Sequence, residues 1–164
     1  MATKSTTQAR LRVKLNKPTL IVPANPTKNH IYFLSNLDQR VAYVVQTVYC
    51  YKASLGKKNE DPAGVIKEAL QKVLVTYYPL AGRLGLSPEG KLNVNCNAEG
   101  AVFVEAEADF PIEDIGDLNK PDSVNLVYSI PGAKNILDIP PLVAQVFVKN
   151  LASDFFISFL NCLV

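Results

Sequence analysis

The 164-residue chain has no tryptophan, one histidine, one methionine and three cysteines. Each shortage excludes something. With His30 as the sole imidazole, a site built on two histidines is impossible. Cys50, Cys96 and Cys162 are odd in number, far apart and free of any C-x-x-C pair. That excludes a zinc ribbon and a disulfide framework, and reads as free thiols in a reducing, cytoplasmic setting. A cysteine nucleophile needs a base to make its thiolate. Cys50 and Cys96 lie in strand-like runs, so both read as buried structural residues. No apolar run is long enough to span a bilayer. A net charge of +2 is too small to imply nucleic acid or an anionic membrane as partner. The first seventeen residues are basic but have no apolar core, which excludes a secretory signal. A frayed, solvated terminus is favoured there over a transit peptide.

What remains is an ordinary globular composition, 48% apolar and 20% charged. A chain of this size forms one domain and buries roughly 70% of its unfolded surface. Its organising stretch is Tyr77-Tyr78-Pro79-Leu80-Ala81-Gly82-Arg83-Leu84, with the run that feeds it. Val65, Ile66, Ala69, Leu70, Val73, Leu74 and Tyr77 recur at three- and four-residue steps, one apolar face of a helix. Asp61 can cap its start and Pro62 suits the first helical position. Pro79 ends the run, and Gly82 lets the chain turn back toward a sheet.

Strand patterns surround that helix. Leu11, Val13 and Leu15 alternate with Arg10, Arg12 and Lys14, a half-buried strand. His30 to Leu34 is a short apolar run that ends in the polar turn Ser35-Asn36-Leu37-Asp38-Gln39. Val41 to Tyr51 then reads as a strand rich in Val, Tyr and Thr. After Gly82 come short strands split by Ser87-Pro88-Glu89-Gly90 and Asn97-Ala98-Glu99-Gly100. Ile139 to Val146 leads into an almost wholly apolar strand of the kind found at a sheet's centre. The carboxylates of residues 105–122 border a short helix near Ile112–Leu118 and read as a solvated acidic face, not an acid–base pair.

Four stretches, in order, resemble the BAHD family of plant acyl-CoA-dependent acyltransferases. They are the octet at Tyr77–Leu84; Leu34-Ser35-Asn36-Leu37-Asp38 with Val48 to Lys52; Leu86 to Leu92 with Gly100 to Ala106; and Pro131 to Leu137 with Pro140 to Val146. The resemblance covers about residues 10–146. It implies an α+β fold, a mixed sheet with packed helices similar to the N-terminal part of a chloramphenicol-acetyltransferase-like domain. It implies transfer of an acyl group from acyl-CoA, the cosubstrate, to a hydroxyl. The match looks closest to members that move hydroxycinnamoyl groups to ω-hydroxy fatty acids or long-chain alcohols. It also sets Ser35, Asn36 and Asp38 near the substrate channel; on the residues alone they serve equally well to satisfy backbone groups in a turn.

The resemblance then breaks. The family continues to a His-x-x-x-Asp motif, whose histidine acts as general base, and much later to Asp-Phe-Gly-Trp-Gly. Here four residues beyond His30 stands Leu34, and a tryptophan motif has no residue to carry it. No residue is therefore assigned a catalytic, cofactor-binding or metal role. The expected division is a truncated acyltransferase-like part, residues 1–146, and a non-family apolar tail, residues 147–164. The tail reads either as translated extraneous sequence or as a helix or strand covering a bare sheet face. The leading expectation is an inactive N-terminal fragment; the alternative is a non-catalytic protein that associates with a full-length relative.

Overall fold

Local signals decide where the long helix begins. In the computed structural model, which describes residues 12–51, 61–108, 126–147 and 155–163, Asp61 caps helix α2 (Pro62–Thr76). The Ala63 N–H donates to Asp61 Oδ1 at 3.0 Å, and Pro62 opens the helix where no N–H is needed. Asp61→Ala should cost about 1 kcal/mol, read as a melting point lowered by roughly 2–4 °C. Asp61→Ser should leave it near wild type, because serine caps as well.

Before α2 lie strands β1 (Val13–Leu15), β2 (Thr19–Ile21), β3 (Ile31–Phe33), helix α1 (Asn36–Val41) and strand β4 (Tyr43–Tyr51). After it lie β5 (Arg83–Leu86), β6 (Leu92–Asn95), β7 (Ala101–Ala108), β8 (Leu142–Phe147) and β9 (Phe155–Leu163). One sheet of six strands runs β1-β7-β8-β9-β4, with β2 also on β7. The β7–β8 pair is parallel and the others antiparallel, so the sheet is mixed, as expected. A second sheet of three antiparallel strands runs β3-β6-β5.

The larger sheet is covered on both faces. Ala63, Ile66, Leu70 and Leu74 of α2 pack on Ala101, Phe103, Leu142, Ala144 and Val146. The opposite face, with Val102, Val104 and Val143, meets Val127, Tyr128, Ile130 and Ile139. Strand β8 is buried at every position, which explains its unbroken apolar run. One polar side chain shares that burial. Gln145 is 1% exposed, and neither end of its amide has a hydrogen-bond partner among the described residues.

Several expectations shift. The helix stops at Thr76, and Pro79 sits inside a separate 3₁₀ turn, Tyr78–Ala81. The buried stripe is narrower than the apolar one: Val65, Val73 and Tyr77 are exposed. Leu15 is exposed too, because β1 is a short outer strand. The turn expected at Ser35–Gln39 is helical, and the strand after it starts at Tyr43. Residues 155–163 form a strand, one of the two forms expected of the tail, but it enters the sheet between β8 and β4, where both backbone edges find partners, instead of lying over a face. Strand β8 runs through Phe147. The helix expected near Ile112–Leu118, and the acidic residues from Asp109 onward, lie outside the described residues. Glu105 and Glu107 are paired with Lys67 and Lys14. No helix among the described residues is long and apolar enough to cross a membrane.

Candidate functional site

The octet is a joint between the two sheets. Arg83 reaches back across it: its Nη1 donates to the Gly82 carbonyl at 2.6 Å and the Gly100 carbonyl at 2.9 Å. Its Nε lies 2.9 Å from Glu99 Oε2. The Gly100 N–H donates to the Ala81 carbonyl at 2.9 Å, so backbone and guanidinium close the same loop. Charge-assisted bonds of this kind hold geometry better than neutral ones. Gly100 has φ +103, and a Cβ there would stand 2.6 Å from the Ile21 carbonyl oxygen.

Ser35, Asn36 and Asp38 stand at the first turn of α1. Ser35 Oγ accepts the Asp38 N–H at 3.3 Å, and Asp38 Oδ2 accepts the Ser35 N–H at 2.9 Å. This reciprocal capping box satisfies two donors that the helix end would leave orphaned. The Ser-x-x-Asp spacing is a helix-start signal in the sequence, and it is the one that reading as a plain turn missed. The next residue, Gln39, does something no pattern announces. Its Nε2 donates to the Leu92 carbonyl at 2.6 Å, and its Oε1 accepts the Leu92 N–H at 2.8 Å. Gln39 thus fixes α1 against β6 through backbone atoms.

His30 is exposed, with its ring centroid 5.7 Å from that of Tyr78 and 6.3 Å from that of Tyr32. Its carbonyl accepts the Cys96 N–H at 2.9 Å. Among the described residues this is a strand-edge histidine in aromatic company, with no carboxylate bonded to it. Cys96 is buried and Cys50 exposed, and partial burial raises the pKa of both thiols. At neutral pH both stay protonated, the opposite of an activated nucleophile. Among the described residues, no three His, Cys, Asp or Glu side chains gather as a metal site. The octet and the capping box therefore position backbone; chemistry on a substrate would need groups that these elements support.

The comparisons with known proteins agree with this joint-and-sheet architecture. The family model described as Transferase family matches residues 11–150. The omega-hydroxypalmitate O-feruloyl transferase of Arabidopsis thaliana is 53% identical over 143 residues, 85% of this chain and 31% of the relative. The fatty alcohol:caffeoyl-CoA acyltransferase of Arabidopsis thaliana is 48% identical over 141 residues, 83% of this chain and 33% of the relative. The chain thus spans about a third of the length of these curated relatives. Among solved structures, vinorine synthase superposes with a TM-score of 0.73 at 26% identity, over 92% of this chain and 38% of that one. With 140 of its residues inside the family model, the chain belongs to the Transferase family, the BAHD acyl-CoA-dependent acyltransferases.

Proposed function

We propose that these residues form the N-terminal part of an acyltransferase that moves a hydroxycinnamoyl group from CoA to the hydroxyl of an ω-hydroxy fatty acid or fatty alcohol. The family uses acyl-CoA as cosubstrate and hydroxyl compounds as acceptors. The observation that carries the finer reading is the 53% identity to an omega-hydroxypalmitate O-feruloyl transferase, supported by the 48% identity to a fatty alcohol:caffeoyl-CoA acyltransferase. A reducing, cytoplasmic setting belongs to the same proposal, supported by Cys50 and Cys96 standing as free thiols. So does a substrate-channel position for Ser35, Asn36 and Asp38: the capping box uses Ser35 and Asp38 to hold the α1 start rigid beside any such channel.

The second half of the proposal concerns the 164 residues alone: they do not carry out the transfer. An acceptor hydroxyl must lose its proton as it attacks a thioester, and general-base assistance typically contributes about 10²–10⁴ in rate. His30 is the one imidazole, and its ring faces Tyr32 and Tyr78. The family's His-x-x-x-Asp pattern is matched nowhere in the sequence.

Two measurements separate the halves. The purified chain, given feruloyl-CoA and ω-hydroxypalmitate, should release no CoA above the heated control. Turnover abolished by heating would overturn the claim of inactivity. A chimera that joins residues 1–146 to the remainder of the Arabidopsis feruloyl transferase should be active on the same pair. A folded chimera that prefers other acyl donors or acceptors would overturn the substrate class and leave the family assignment standing.

A further inference from the structure

Strand β3 stops one rung short of its neighbour. Its register sets Ile31, Tyr32 and Phe33 opposite Asn95, Val94 and Asn93 of β6. One step further would set Leu34 opposite Leu92, but there the chain leaves for the α1 cap at Ser35. The backbone of Leu92 is met instead by the Gln39 side chain, which donates to its carbonyl at 2.6 Å and accepts its N–H at 2.8 Å. A glutamine amide presents a donor and an acceptor side by side, as a strand's backbone does. Gln39 thus supplies the next rung of the ladder from 53 residues away in the chain.

We propose that Gln39 is a positioning residue for acyl transfer: it holds Ser35, Asn36 and Asp38 at one fixed place against β6. The role rests on the substrate-channel position proposed above for those three residues. Helix α1 has six residues, too few to be stable alone. Its capping box joins Ser35 to Asp38, which shapes the first turn without tying it to a sheet. Leu34 and Ala42, which flank the helix in the chain, pack on the core under β6, but apolar contact has no direction. The Gln39 pair has one. It makes two bonds to a strand that β3 and β5 hold from both sides, so α1 takes its place from β6. A displacement of about 1 Å at a reaction site can cost about 10²-fold in rate, and this tie prevents one at the α1 start.

The pairing makes the test specific. An ionised carboxylate only accepts, whereas a neutral carboxylic acid donates and accepts as the amide does. In the 164-residue chain, amide hydrogen exchange read by NMR should be at least about tenfold faster at Leu92 in Gln39→Leu, and in Gln39→Glu at neutral pH. As the pH falls through the ordinary glutamate range, about 4–5, Gln39→Glu should return to the wild-type rate at the same pH, and Gln39→Leu should not. Amides of β7 should keep wild-type rates in both variants, which separates a local change from lost folding. In the chimera of residues 1–146 with the remainder of the Arabidopsis feruloyl transferase, Gln39→Leu should raise the KM for ω-hydroxypalmitate at least about tenfold. A smaller folded fraction would lower kcat and leave KM where it was. Unchanged exchange at Leu92, or a Glu variant with no recovery at low pH, would overturn the clamp. An active chimera whose acceptor KM ignores the substitution would overturn the positioning role alone. A wild-type chimera without activity would overturn the proposed function and the positioning role with it, and leave the clamp standing.

Discussion

Phe103→Ala should lower stability by about 3–5 kcal/mol, seen as a melting point reduced by roughly 6–20 °C. Phe103 is 1% exposed at the middle of β7, in the layer that α2 covers. Its neighbours come from distant parts of the chain: Ile21 from β2, Ala63 and Leu74 from α2, and Ala144 from β8. Removing the ring opens a cavity at the point where these three segments meet β7. It also removes the surface under the Lys67 ammonium, which lies 5.1 Å from the ring centroid. Phe33→Ala is the control. Phe33 is 76% exposed, and surface changes of that kind stay within about 0.5 kcal/mol. Equal losses for the two variants in urea unfolding would mean that the helix-covered layer is not the core.

Gly82→Ala should cost about 2–3 kcal/mol or more, because overpacking against backbone cannot be relieved by a rotamer change. The reason is not handedness. Gly82 has φ −92 and ψ −158, extended backbone open to any residue. A Cβ, however, would collide with the Asn95 carbonyl oxygen and lie 3.1 Å from its carbon and 3.0 Å from Val94 Cγ1. Asn95 cannot retreat, since β6 is held by β3 on one side and β5 on the other. Gly90 makes the opposite case: φ is +76, yet nothing stands within 4 Å of its Cβ position. Gly90→Ala should cost about 1 kcal/mol from conformation alone. Denaturant midpoints should rank Gly82→Ala clearly below Gly90→Ala; the reverse order would remove close approach as the constraint.

Gly82 also marks the limit of what the sequence discloses. Its importance is visible from Tyr77–Leu84, but as the freedom to turn; the Asn95 carbonyl that forbids a side chain lies thirteen residues on and leaves no pattern nearby. The start of α2 was legible because Asp61 and Pro62 act within one turn of each other. So was β8, whose burial on both faces writes itself as an unbroken apolar run. The width of the α2 contact was not. Val65, Val73 and Tyr77 obey the same period as Leu70 and Leu74, and which of them are buried is decided by where α2 meets the sheet, a contact made with residues far along the chain. The clamps by Gln39 and Arg83 were equally hidden, since each binds backbone carbonyls that any residue could present. Ser35 and Asp38 were legible as important and ambiguous in role, because one spacing serves a polar turn and a helix cap alike.

The place of β9 has a consequence for how the molecule comes into being. Tyr43–Tyr51 is synthesised early, yet the strand that joins it to the sheet is Phe155–Leu163. Until that segment has emerged from the ribosome, β4 has no route into the larger sheet. The two are about a hundred residues apart, and contacts at such separation form slowly because loop closure must precede them. Meanwhile β7, β8 and α2 can already assemble, since Phe103, Leu74 and Ala144 all precede residue 148. The order of assembly is therefore helix and parallel pair first, β9 second, β4 last. Until then an uncharged, β-prone segment lacks its neighbour in the sheet, the kind of segment that is prone to aggregate when left unpaired.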